Sequence, residues 1–143
     1  MIREIHPDRL FLGNARDARD LQQLYDHRIA AVVDLAADEP PAQLSRDILY
    51  CRIPIVDGDG NSNAIIEIAI RSVATLIEKE FRTLVSCSAG MSRSPAIAAS
   101  ALALVTNKPL SDCLTELFSG ASHDISPTLW SSVQMVYNEV IGN

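Results

Sequence analysis

Cys87 and Arg93 stand six positions apart in the run Leu84-Val85-Ser86-Cys87-Ser88-Ala89-Gly90-Met91-Ser92-Arg93-Ser94-Pro95. An apolar segment that reads as a strand delivers the cysteine, and a Ser-Pro helix start follows the arginine. Between them lie small or flexible residues, Met91 excepted. Consecutive backbone N–H groups in such a tight loop form a concave anion nest. The N-terminus of the following helix adds unpaired donors and positive potential. Gly90 tolerates the positive φ that the curl needs. Residues Ser88, Ala89, Gly90, Met91, Ser92 and Arg93 are therefore expected to cradle a phosphate. The same field favours a thiolate, so Cys87 is expected to be a nucleophile that needs no histidine base. The planar guanidinium of Arg93 can grip two phosphate oxygens, where lysine would serve poorly. Phosphoryl transfer rests mainly on such positioning and charge stabilisation. A bare Cys-x5-Arg spacing is weak, because cysteine is commonly a small buried hydrophobe. The strand, the glycine, the serines and the helix start make this pattern specific.

Breaking a P–O bond also needs a proton for the leaving oxygen. The segment Ile53-Pro54-Ile55-Val56-Asp57-Gly58-Asp59-Gly60-Asn61 offers two carboxyls, Asp57 and Asp59, beside glycines that would let a loop move. Asp-Gly pairs also mark ordinary tight turns, so these residues point to an acid only in the company of the cysteine loop.

Those groups must be held by a scaffold. Short apolar runs at 10–12, 30–35, 49–53 and 83–87, with a weaker one at 2–5, have the pattern of strands covered on both faces. Helical spacing appears at 15–27, at 64–81 with Asn63 as its N-cap, at 94–106 where nearly every face is apolar, at 110–118, and at 127–140 behind Ser126 and Pro127. The alternation predicts a single α/β domain over 1–143, with a mainly parallel sheet of about five strands flanked by helices. In open sheets of this class ligands bind beyond the carboxyl ends of the strands, which is where Cys87 would lie.

Composition narrows the function. The chain has 143 residues, 48% hydrophobic and 21% charged, with a net charge of −6. It lacks the basic footprint of a nucleic-acid binder and would gain little from anionic lipid. Cys51, Cys87 and Cys113 are too few and too scattered for a disulfide framework, and His6, His27 and His123 give no zinc-site spacing. Neither a signal-peptide core nor a membrane-spanning run is present. A reducing, cytoplasmic setting is expected.

The segment from Cys87 to Ser94 resembles the signature loop of the protein tyrosine phosphatases, and the part from Ala89 to Ser94 resembles the dual-specificity branch. Residues 7–14, 29–36 and 53–57, Ser126-Pro127 and the last helix are similar, in order, to other parts of that family's catalytic domain, so the resemblance covers most of the chain. It implies a small atypical member that dephosphorylates phosphotyrosine and phosphoserine/threonine in proteins, with no metal or organic cofactor, no nucleic-acid partner and no membrane. It implies that Ser94 helps Cys87 leave the phosphoenzyme, and it matches Asp57 to the family's general acid better than Asp59. One departure stands out: Ser86 occupies the place where the family usually has a histidine that supports the cysteine loop. None of Ser88, Ala89, Met91 and Ser92 is basic, which disfavours a polyanionic substrate. A phosphorylated sugar, glycan or small metabolite, a non-catalytic phosphate-binding module, and sulfur-transfer or arsenate chemistry are the other readings. Two smaller expectations concern an oxidant-induced Cys51–Cys87 disulfide and the pair His123 and Asp124, read as a solvated loop.

Overall fold

The apolar runs lose their surface to both sides of one sheet. In the computed structural model, which describes residues 1–118 and 124–141, five strands form: β1 (Arg3–His6), β2 (Leu10–Asn14), β3 (Ala31–Ala36), β4 (Leu49–Ile55) and β5 (Thr83–Cys87). Their order across the sheet is β1-β2-β5-β3-β4. β1 is antiparallel to β2, and the remaining pairs are parallel. Successive side chains point to opposite faces. Leu10, Leu12, Val33, Leu35, Val85 and Cys87 accordingly join the larger core, whereas Phe11, Val32 and Leu84 join a smaller one on the other face. This is why the strands read as continuous apolar runs instead of alternating ones.

Helices α2 (Asn63–Glu78), α3 (Arg93–Thr106), α4 (Leu110–Leu117) and α5 (Pro127–Val136) build the larger core with the sheet. Helix α1 (Leu21–Asp26) supplies Leu24 to the smaller one. From Arg93 to Ala103 every residue of α3 is buried, as its all-round apolar character predicts. The α/β architecture with a mainly parallel five-stranded sheet is thus the one the sequence led us to expect. No helix among the described residues is long and apolar enough to cross a membrane.

Several boundaries differ for local reasons. The helix expected over 15–27 is broken at Asp20, which is extended (φ −92°, ψ 92°) and caps α1 by accepting from Gln23 N; a short 3-10 turn, Asp17–Arg19, precedes it. Ser62, not Asn63, caps α2 through its hydroxyl at 3.2 Å from Ile65 N. That helix stops at Glu78 because Glu80 turns left-handed at φ 67°. The final helix passes into a π turn, Tyr137–Ile141. Cys51 lies opposite Val33, which in turn lies opposite Val85. Two strand spacings, about 9–10 Å, therefore separate β4 from β5. A disulfide needs Cα atoms within about 7 Å, so the Cys51–Cys87 bond is excluded.

Candidate active site

β5 sits between β2 and β3, and its carboxyl end opens into the loop that starts α3. Cys87 closes the strand and is 2% exposed. Its Sγ accepts a hydrogen bond from Ser94 N at 3.4 Å. That amide is one of the donors a helix start leaves unpaired, here directed at sulfur. Ser92 holds the N-cap position of α3 but makes no capping bond with its side chain. Its hydroxyl donates to Asp57 Oδ1 at 2.6 Å and accepts from Ser126 N at 2.9 Å. One serine thus ties the loop to the acid-bearing segment and to the start of α5.

Arg93 is 4% exposed. Its Nη1 donates to Asp38 Oδ1 at 2.8 Å and to Ile55 O at 2.9 Å. Asp38 Oδ2 accepts from Ser88 Oγ at 2.9 Å. Burial alone would lower the pKa of Arg93, but the bond to Asp38 and the neighbouring Cys87, Asp38 and Asp57 outweigh it, and the value is raised. The bond from Arg93, against some desolvation and with help from Ser88, holds Asp38 below its usual 3.8. Arg93 Nε and Ser94 Oγ are buried and have no hydrogen-bond partner among the described residues.

A cavity of about 240 Å³ opens here; most of the loop from Cys87 to Arg93 lines it, together with Asp38, Asp57 and Asp124. Asp57 is therefore brought to the cysteine and the arginine, while Asp59 is not among the lining residues. Asn61 braces the segment between: its amide pairs with both the N–H and the C=O of Val56 at 2.8 Å. Gly90 does not line the cavity. It has φ 75°, and a Cβ there would lie 2.8 Å from Gly13 O, so the loop presses backbone to backbone on the end of β2. Ala15 N donates to Ser88 O at 3.2 Å on the same side. Met91 is 39% exposed, and its carbonyl accepts from Asp124 N at 2.9 Å. His123 lies outside the described residues. Sequence reasoning missed Asp38 and the bridging role of Ser92. Asp38 follows a parallel strand at its carboxyl end, where site residues gather, and that was the available signal.

The chain matches the family model described as dual specificity phosphatase, catalytic domain, over residues 10–138. The chain belongs to the dual-specificity phosphatase family. It is 31% identical over 135 residues to the dual specificity protein phosphatase Mpk3 of Drosophila melanogaster, covering 93% of this chain and 33% of that protein. It is 33% identical over 109 residues to human dual specificity protein phosphatase 15, covering 73% of this chain and 35% of that protein. The chain therefore spans about a third of the length of these curated relatives. Its fold superposes on human DUSP28 with a TM-score of 0.83 at 23% identity, covering 99% of both chains. DUSP15 superposes with a TM-score of 0.74 at 26% identity, covering 96% of this chain and 93% of that one. In this member of the family Cys87 ends the central strand, β5, and Arg93 opens α3.

Proposed function

We propose that this protein is a cysteine-dependent phosphomonoester hydrolase that dephosphorylates phosphotyrosine and phosphoserine/threonine in proteins, and that residues 1–143 form its catalytic domain. The observation that carries the reading is the convergence on one cavity of a strand-end cysteine, a buried arginine and a carboxyl, Asp57. Cys87 Sγ attacks phosphorus while the amides of 88–93 and Arg93 hold the equatorial oxygens. The P–O bond to the leaving group breaks as Asp57 gives that oxygen its proton, leaving a phosphocysteine. Water then attacks phosphorus, Asp57 takes its proton, and the P–S bond breaks. Ser94 Oγ supports the departing sulfur, and inorganic phosphate leaves. Every step is a proton or phosphoryl transfer between groups of the chain, substrate and water, so no cofactor enters it. A cytoplasmic location accompanies this reading.

The test is hydrolysis of p-nitrophenyl phosphate in EDTA. Cys87→Ser should be inactive, and Asp57→Ala should lose about 10²-fold or more in kcat. Wild-type protein that binds vanadate without turnover would instead make this a phosphate-binding module. A panel of phosphopeptides and sugar phosphates separates protein from small-metabolite substrates, since the loop chemistry is common to both.

A further inference from the structure

β4 is an edge strand: β3 is its one neighbour in the sheet among the described residues. Such an edge is a template for a further strand. Leu49 N donates to Ala30 O at 3.0 Å. Leu49 and, by alternation, Cys51 therefore turn their backbone groups toward β3, and Tyr50 and Arg52 turn theirs to the open side. Pro54 has no N–H to offer and ends the usable edge. The strand is accessible, since Leu49, Arg52 and Pro54 are exposed and Tyr50 and Cys51 are half-buried.

Side chains alternate as well. Cys51 and Ile53 belong to the face that α2 covers, and Tyr50 to the other. Between β4 and α2 runs a cavity of about 420 Å³ whose lining includes Leu49, Cys51, Ile68 and Leu76. Leu49 is 42% and Ile68 55% exposed. Glu67 and Arg71, paired at 2.7 Å, line the same cavity.

This edge is complementary to itself. When a second β4 lies antiparallel on it with Cys51 opposite its own copy, Tyr50 stands opposite Arg52 of the second copy. Those two residues then exchange both backbone hydrogen bonds, and the twofold axis repeats the exchange. Leu49 meets Ile53 of the second copy, apolar against apolar, on the α2 face. The Arg52 guanidinium is folded onto its own chain, with Nη2 donating to Glu39 O at 2.6 Å, and leaves the edge free. Each copy has a net charge of −6, yet this surface carries Arg52, Arg71 and Glu67, close to balance.

We propose that the β4 edge is the contact of a twofold dimer of this chain. Two five-stranded sheets become one continuous sheet, and the two apolar grooves come together on one face of it. The antiparallel arrangement points the two phosphate cavities to opposite ends of that sheet, so both stay open. The Cys51 pair at the axis is not hydrogen-bonded, which sets its Cα atoms about 4.5 Å apart. A disulfide needs about 4.4–6.8 Å, so crosslinking through Cys51 reports on the register.

The experiment uses the whole chain. Sedimentation velocity in reductant should show a dimer. Arg52→Ala loses the guanidinium and keeps the outward N–H. Arg52→Pro loses that donor too, twice by symmetry, and should weaken association about tenfold beyond Arg52→Ala. Leu49→Lys, which sets a charge against Ile53 of the second copy, should sediment as a monomer. Circular dichroism checks that each variant is folded. In a Cys87→Ser background, diamide should link two chains through Cys51: two thiols give two protons and two electrons to diamide as one S–S bond forms. Adding Cys51→Ser should abolish the link. A wild-type chain that stays monomeric at every concentration would overturn the proposal, even if Cys51 crosslinks by collision. A dimer unchanged in folded Leu49→Lys and Arg52→Pro would overturn it too, because its contact would lie elsewhere. If those variants unfold, the crosslink decides: a Cys87→Ser dimer that diamide fails to link through Cys51 rejects this register, and one that it links supports it.

Discussion

Ser86 stands where the resemblance in the sequence leads one to expect a histidine. It lies opposite Asp34 on one neighbouring strand and Gly13 on the other, and strand alternation turns it to the face opposite Cys87. Its hydroxyl is fully buried and has no hydrogen-bond partner among the described residues. A side chain so placed gives the cysteine loop no hydrogen bond, so the loop is held by other means: Ala15 N on Ser88 O, Asp38 on Ser88 and Arg93, and Ser92 on Asp57. Leaving a buried hydroxyl unpaired costs about 1–3 kcal/mol. Ser86→Ala is therefore expected to keep kcat/KM within about threefold of wild type and to be as stable or more stable, by about 1 kcal/mol. Urea unfolding alongside p-nitrophenyl phosphate kinetics checks both. A tenfold loss of activity would show that the Ser86 hydroxyl does act on the loop.

Among the elements, the joint between β5 and α3 depends on its packing against the end of β2. Gly90 there is left-handed, and an added Cβ would stand 2.8 Å from Gly13 O and 3.0 Å from Gly13 C. Both contacts are with backbone, which cannot swing aside as a long side chain would. Gly90→Ala combines a conformational cost of about 1–2 kcal/mol with that clash. It should destabilise the protein by about 2 kcal/mol or more, a fall of roughly 4–8 °C in Tm. It should also lower kcat/KM by about 10²-fold, because the amides of 88–93 would shift from the phosphate. Differential scanning calorimetry with kinetics tests this; a Tm within 1–2 °C of wild type would mean that the loop can move away from β2. The need for a permissive residue at 90 could be inferred from the motif, but the partner backbone at Gly13 could not. The two glycines are far apart in the chain and meet only because β2 pairs with β5.

For the whole molecule, charge is the deciding quantity. The chain carries a net charge of −6, and three acidic side chains, Asp38, Asp57 and Asp124, line the cavity around a single guanidinium. Low-dielectric walls concentrate such a field on an approaching ligand. Phosphopeptides with basic flanks should therefore be preferred to those with acidic flanks or a second phosphate. Raising salt from about 0.05 to 0.5 M shortens the screening length. That should lower kcat/KM for the basic peptide and raise it for the acidic one. Parallel salt dependences for the two peptides would show that the carboxylates do not steer substrate.

Spacing along the chain was enough to expect the α/β class, the five strands and the grouping of Cys87, Arg93 and the 88–93 amides, since a strand, a tight loop and a helix start place these residues together without help from distant segments. The resemblance favours Asp57 over Asp59, and the folded chain separates the two by contact: Asp57 meets Ser92 from 35 positions away, and Asp59 stays outside the cavity. Ser62 and Asp20 replaced the expected helix boundaries because a cap depends on where a side chain can reach a free amide, and neighbouring polar residues compete for that place. Asp38 was hidden among the polar residues that follow β3. Its bonds to Ser88 and Arg93 span 50 and 55 positions. Contacts of that length are decided by strand order, and it is the insertion of β5 beside β3 that brings Asp38 to the arginine.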